Sequence, residues 1–232
     1  MIGRLVAAMA AICLVAATLA PARADDAAET LLAMEAVRSA ASPSLKNRAA
    51  IELETLAIMG APGAASGLAR LLYEGVIEGS APSARKWARQ AVERGELESY
   101  TLLSQMKMLG FGGPKDVDRA ALLAREAAVM GSPGAAVLLF ELLDESSQAE
   151  AGVRYLERAA DAGHAPAQLI MGLLHANAEI DGASMEMALF WFLLAGANGD
   201  ESAGALSDAA ASQLGQERTL AVLDAALEWN PK

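Results

Sequence analysis

The chain has 232 residues, 54 % of them hydrophobic but only 4 % aromatic, and a formal net charge of −11. A surface this acidic repels nucleic acid and anionic lipid headgroups, so neutral or basic partners are expected. The single cysteine, Cys13, excludes an intrachain disulfide, and its place in the first apolar run leaves no thiol for nucleophilic or metal chemistry once that run is removed.

In chain order, residues 1–24 read as an export signal. Arg4 precedes an apolar run over 5–20, which is followed by Pro21 and the small-residue pattern Ala22-Arg23-Ala24. Cleavage is expected after Ala24. The run is shorter than the roughly 20 residues a spanning helix needs, so no stable membrane insertion is expected after cleavage. Ile12 stands directly before Cys13, which argues against lipidation at that cysteine. The expected location is periplasmic or secreted. Removal of Arg4 and Arg23 leaves 16 cations against 29 acids, a net charge of −13.

No stretch alternates apolar and polar residues for long enough to predict a strand; the periodicity is helical throughout. Residues 25–59 hold "ETLLAMEAVRSA" and "LKNRAAIELETLAIMG" around "ASPS", and predict a degenerate first helix pair. From Gly60 onward a repeat sets in. Gly95, Gly131, Gly163 and Gly199 close units of 35, 36, 32 and 36 residues (60–94, 95–130, 131–162 and 163–198). Eight residues before each closing glycine stands Trp87, Leu123, Tyr155 or Trp191; four before stands Ala91, Ala127, Ala159 or Ala195; eleven before stands Ala84, Ala120, Gly152 or Ala188. These spacings put the three positions on one helix face, where small residues admit a neighbouring helix and the bulky one fills the gap. The glycine suits the left-handed position that ends a helix. After each glycine a second helix is predicted, with small residues at Ala64, Ser99, Ala135, Ala167 and Ala203, then Leu68, Leu103, Leu139 or Met171. Ser80, Asp116, Gln148 and Ser184 stand fifteen residues before the closing glycines, and three of the four are good N-caps. One helical hairpin cannot bury its apolar face alone, so the units are expected to stack. Residues 200–232 predict a last pair that caps the stack.

The pattern resembles the Sel1-like repeats, relatives of the tetratricopeptide repeats. It is carried by "KWARQAVERG" (86–95), "RAALLAREAAVMGSPGAAVLL" (119–139), "RYLERAADAGHAPAQLIMG" (154–172) and "MALFWFLLAGANG" (187–199), with "LLYEG" (71–75) at the tyrosine-glycine step. The third unit departs by being four residues short, with "LLDESSQAEAG" (142–152) in place of its glycine turn. The resemblance implies an all-α, right-handed α-solenoid whose first helices line a concave side. It places exposed, variable side chains there at Arg70, Gln105, Glu141 and Leu173, joined by Glu98, Glu74 and Asn177, as a partner-binding ladder.

Catalytic chemistry finds no support. His164 and His175, the only histidines, fall in the turn after Gly163 and near the end of the next helix, without an H-x-x-x-H or H-E-x-x-H pattern. "GFGG" (110–113) with Lys115 lacks phosphate-loop spacing and flanking strands, and reads as the inter-helix turn of a repeat. No serine is framed as G-x-S-x-G, and no acid pair stands out. No cofactor, metal or catalytic residue is expected. The expected function is a non-enzymatic periplasmic scaffold that binds another protein or a peptide segment in the bacterial envelope, as adaptor, inhibitor or regulator. A cell-wall-acting enzyme or wall-binding module, and a self-assembling structural protein, are the alternatives.

Overall fold

The structure is a computed structural model that describes residues 24–143 and 148–231. Among these residues there are twelve helices and no strand, so the fold is an all-α repeat fold. The expected export segment lies outside the described residues except for Ala24, where the first helix begins. So do residues 144–147 of the shortened turn.

The chain divides into two compact units between Asp116 and Val117. The first holds α1 (Ala24–Ser39), α2 (Pro43–Met59), α3 (Ala64–Tyr73), α4 (Ala81–Glu93) and α5 (Leu97–Leu109). The second holds α6 (Val117–Val129), α7 (Pro133–Leu143), α8 (Ala149–Asp161), α9 (Ala165–Ala176), α10 (Met185–Ala197), α11 (Ala203–Leu214) and α12 (Gln216–Glu228). Within each unit every helix packs on the next in sequence. First helices of successive pairs also touch: α1 on α3 and α3 on α5 in the first unit, α7 on α9 in the second. At the C-terminal end α12 packs on both α10 and α11.

The framing glycines do what their spacing requires. Gly60, Gly95, Gly131, Gly163 and Gly199 have φ of 88°, 77°, 94°, 87° and 98°, the left-handed region that favours glycine. In each turn the glycine N–H donates three residues back, and the next N–H donates five residues back, from Ala61 to Leu56, Glu96 to Ala91, Ser132 to Ala127, His164 to Ala159 and Asp200 to Ala195, at 2.9–3.0 Å. This is the Schellman arrangement, which satisfies carbonyls at the helix end and reverses the chain. The alanine four before the glycine is therefore both a bond acceptor and a contact. Helix starts are equally legible: Ser42, Ser80 and Ser184 accept from the backbone N–H three residues on. Gln148 heads α8 without such a bond, and its Oε1 accepts from Arg125 at 2.8 Å instead.

The small positions are buried throughout: Ala84, Ala91, Ala120, Ala127, Ala159, Ala188 and Ala195 beside one helix, and Ala64, Ser99, Ala135, Ala167 and Ala203 beside the other. Leu68, Leu103, Leu139 and Met171 fill the interior behind them. Gly152 marks a close approach, since a Cβ there would stand 3.2 Å from Phe140 Cα of the neighbouring α7. At the bulky position Trp87, Leu123 and Trp191 are only 7 %, 2 % and 5 % exposed. Tyr155 departs from this expectation. It is half-buried and lines an opening, while its neighbour Leu156 fills the core. In the second unit the buried Gln168 links two pairs: its Nε2 donates to Ala160 O at 3.0 Å, and its Oε1 accepts from Asn198 Nδ2 at 2.9 Å.

Two glycines three residues apart separate backbone strain from packing. A Cβ at Gly199 would meet nothing within 4 Å, so Gly199→Ala loses stability through backbone strain alone, by about 1–2 kcal/mol. Gly196 lies in the last turn of α10 with ordinary helical φ and an added Cβ 3.8 Å from Ala203 Cβ, so Gly196→Ala gains about 0.5–1 kcal/mol. Denaturant unfolding of the two variants checks the opposite signs.

Candidate functional site: a protein-binding surface

The ladder residues divide between the two units. In the first, Arg70 and Glu98 come together. They line a groove of about 430 Å³ whose walls include Ala27, Leu31 and Met34 of α1 and Gly67 of α3. Gly67 is what lets α1 approach, because a Cβ there would run into the Met34 side chain. Leu31 remains 68 % exposed, so the groove offers an apolar wall beside a cation and an acid. Glu74, one turn beyond Arg70, is exposed and paired with Arg38 of α1 at 3.5 Å. Gln105 is half-buried on α5. In the second unit Glu141 on α7 and Leu173 on α9 are exposed, and Asn177 at the end of α9 donates to Glu179 at 3.0 Å. The groove thus unites two of the seven residues, and the remaining five stand apart from it.

The "GFGG" turn is packing, as its place between helices implies. Gly110 and Gly112 both have φ of 72°. A Cβ at Gly112 would strike the Ala81 carbonyl, and one at Gly113 the Arg85 guanidinium. Arg85 is buried beneath the turn, and its two terminal nitrogens donate to Pro114 O at 3.1 and 3.0 Å. Lys107 and Asp116 pair at 3.3 Å across the turn's base. Among the described residues no three His, Cys, Asp or Glu side chains gather as a metal site, and no helix is long and apolar enough to cross a membrane.

Two further arrangements carry no sequence signal strong enough to find them. In the first unit the turn at Gly95 sends two charged side chains onto the two helices that flank the Gly60 turn. Arg94 Nη1 donates to Ala57 O at 2.9 Å near the C-terminal end of α2, and Glu96 Oε2 accepts from Ser66 N at 3.1 Å in the first turn of α3. Each charge meets the helix end of opposite partial charge. In the second unit an open cleft of about 540 Å³ lies between the Gly131 and Gly163 turns, with Tyr155, Arg158 and His164 among its lining. The only hints in the sequence are the four-residue shortfall of the third unit and a tyrosine where tryptophan or leucine stands elsewhere.

The two histidines do not form one site, since they begin and end the same helix, α9. Burial pushes both imidazoles below their ordinary 6.5; at His175 the nearby Glu157 carboxylate works in the opposite direction.

These features define a class: an all-α repeat scaffold with exposed first-helix side chains. The Sel1 repeat family matches residues 62–96, 97–132, 135–164 and 165–200, more than half of the chain, and the protein belongs to that family. Sel1 repeats are scaffolds that typically mediate contact between proteins. The fold is similar to that of a Sel1 repeat protein from Oxalobacter formigenes, with 23 % identity over 78 % of this chain and 76 % of that one and a TM-score of 0.66. It is also similar to a protective antigen of uropathogenic Escherichia coli displaying an SLR fold, with 19 % identity, 78 % of this chain and a TM-score of 0.64; the match spans 41 % of the antigen's length. An immunity protein from Pseudomonas aeruginosa matches with 20 % identity over 81 % of this chain and 70 % of its own, at a TM-score of 0.56. At these identities the likeness is one of fold alone. Among curated proteins no match is found.

The histidines supply a pH prediction. A group whose folded pKa is lowered takes up its proton more readily in the unfolded chain, so stability falls as pH drops below about 6.5. Proton NMR of the two imidazoles is expected to give midpoints under 6.5. The decline in stability between about pH 6.5 and pH 5 is expected to shrink in the His164→Gln, His175→Gln double variant. A midpoint at or above 6.5 for either imidazole contradicts the burial argument.

Proposed function

We propose that this protein is an exported, non-enzymatic scaffold that captures a protein partner on the surface formed by the first helices of its pairs. The observation that carries the reading is the groove between α1 and α3, where Arg70 and Glu98 flank an apolar wall of exposed Leu31 and half-buried Met34. An apolar wall with one cation and one acid at its rim suits a partner segment that seats a hydrophobic residue and meets each charge with its opposite. The Sel1 repeats support a protein as the ligand. The export signal expected at residues 1–24 supports a partner in the bacterial envelope. The fold shared with immunity proteins of P. aeruginosa favours restraint or neutralisation of the partner over simple tethering.

Capture from a solubilised envelope fraction tests the reading. The wild-type chain is expected to enrich one or a few proteins, and the charge-exchanged variant Arg70→Glu, Glu98→Arg to lose them by at least about tenfold, as for charge pairs at an interface. Circular dichroism is expected to stay unchanged, since neither side chain is buried. Equal capture by both proteins contradicts the assignment of this surface.

A further inference from the structure

The two units treat equivalent places differently. Counted from the closing glycine of each unit, Arg94 and Glu96 correspond to Ala162 and His164, and Ala57 corresponds to Ala128. In the first unit Arg94 and Glu96 cover the end of α2 and the start of α3. In the second unit a methyl group and an imidazole stand in their place, and the location is an open cleft of about 540 Å³ lined by Ala128, Ser132, Tyr155, Arg158, Ala162 and His164, among others.

We propose that this cleft binds a carboxylate, supplied by an aspartate or glutamate side chain of a protein partner. The proposal relies on the protein-binding reading only for the source of that carboxylate. Three observations point to an acid. The molecule itself seats one at the corresponding place in the first unit, where Glu96 accepts from the Ser66 N–H. Arg158 reaches the cleft from α8, and among the described residues its guanidinium has no hydrogen-bond or ion-pair partner; the same holds for the Tyr155 phenol, so two donors are available. The first turn of α7 forms the opposite wall through Ser132, Pro133 and Ala136; there the Ala135 N–H donates to Ser132 Oγ at 3.3 Å and the Ala136 N–H to Ser132 O at 3.2 Å, so the Gly134 N–H is the first-turn donor left for a ligand. Asp161 also lines the cleft but already has a partner of its own. Arg158 is exposed at the mouth of the cleft, where an incoming carboxylate meets it first. A cation is disfavoured by Arg158. The half-buried Tyr155 stands at this cleft, where the other units have a buried tryptophan or leucine.

Nitrogen-15 NMR of the full chain tests the proposal with three probes: an acetylated, amidated Ala-Glu-Ala peptide, its glutamine analogue, and sodium acetate. The glutamate peptide is expected to shift the amides of Ser132, Gly134, Gly163 and His164 saturably. The glutamine analogue is expected to bind at least about tenfold more weakly, the loss that goes with a charge-assisted hydrogen bond. Arg158→Gln is expected to weaken the glutamate peptide similarly, whereas Arg154→Gln, one turn earlier on α8, leaves it unchanged. The double variant Ala162→Arg, His164→Glu supplies both groups from the chain itself and is expected to block the peptide while keeping the helical circular dichroism. Equal binding of the two peptides, or undiminished binding by the double variant, overturns the proposal. Acetate binding as tightly as the glutamate peptide overturns the assignment to a protein side chain and makes this a small-anion site. None of these outcomes depends on the Arg70 and Glu98 surface, so each reading fails on its own evidence.

Discussion

Five hydrogen bonds govern this architecture. Each runs from the amide that follows a left-handed glycine to the carbonyl five residues earlier, an alanine carbonyl in four cases and that of Leu56 in the first. Such a bond ends the helix, satisfies a carbonyl and turns the chain so that the next helix begins within a few residues. The neighbouring helix then lies against the residues before the turn, where alanine stands in four of the five turns and Leu56 in the first. Individually these small side chains remove little surface from water, at about 0.8 kcal/mol per buried CH₂. The seams hold because many backbone atoms come within contact distance, each adding a small dispersion attraction. Turn and seam are thus one device, and replacing either part spoils the other.

Most of the fold was legible because this device is local. The glycine frame, the small residues eleven and four before it and the serine caps all lie within about fifteen residues of one another, and periodicity alone fixes which face they share. Tyr155 shows where local reading stops. Its spacing matches Trp87 and Trp191, but it stays half-buried beside the cleft while its neighbour Leu156 takes the core position, a choice that spacing does not fix. The contacts of Arg94 and Glu96 were equally hidden, since their partners lie 37 and 30 residues away on backbone atoms that leave no mark in the sequence. Of the partner ladder, only Arg70 and Glu98 could be brought to one groove. The position of α1, which supplies the apolar wall, could not be set from a first pair that lacks the full repeat pattern.

The same separation explains why family and function part company. The turn and seam positions are occupied by glycine, alanine and leucine because the geometry demands them, and they say nothing about a ligand. The side chains that the frame leaves lining open grooves are Arg70 and Glu98 in one unit and Tyr155, Arg158 and His164 in the other. In an acidic protein the placement of single arginines then matters more than overall charge. Arg85 and Arg94 are engaged by backbone carbonyls and hold turns in place, whereas Arg70 and Arg158 face openings that a partner can enter.

Native-state amide hydrogen exchange at Ala61, Glu96, Ser132, His164 and Asp200 addresses the turns most directly, because these amides donate the five bonds. If the turns hold the seams together, all five exchange slowly, at rates close to those of the helices they close. If they exchange as fast as the freely hydrated amides of open loops, the glycine turns do not organise the stack, and the explanation of the fold fails with them.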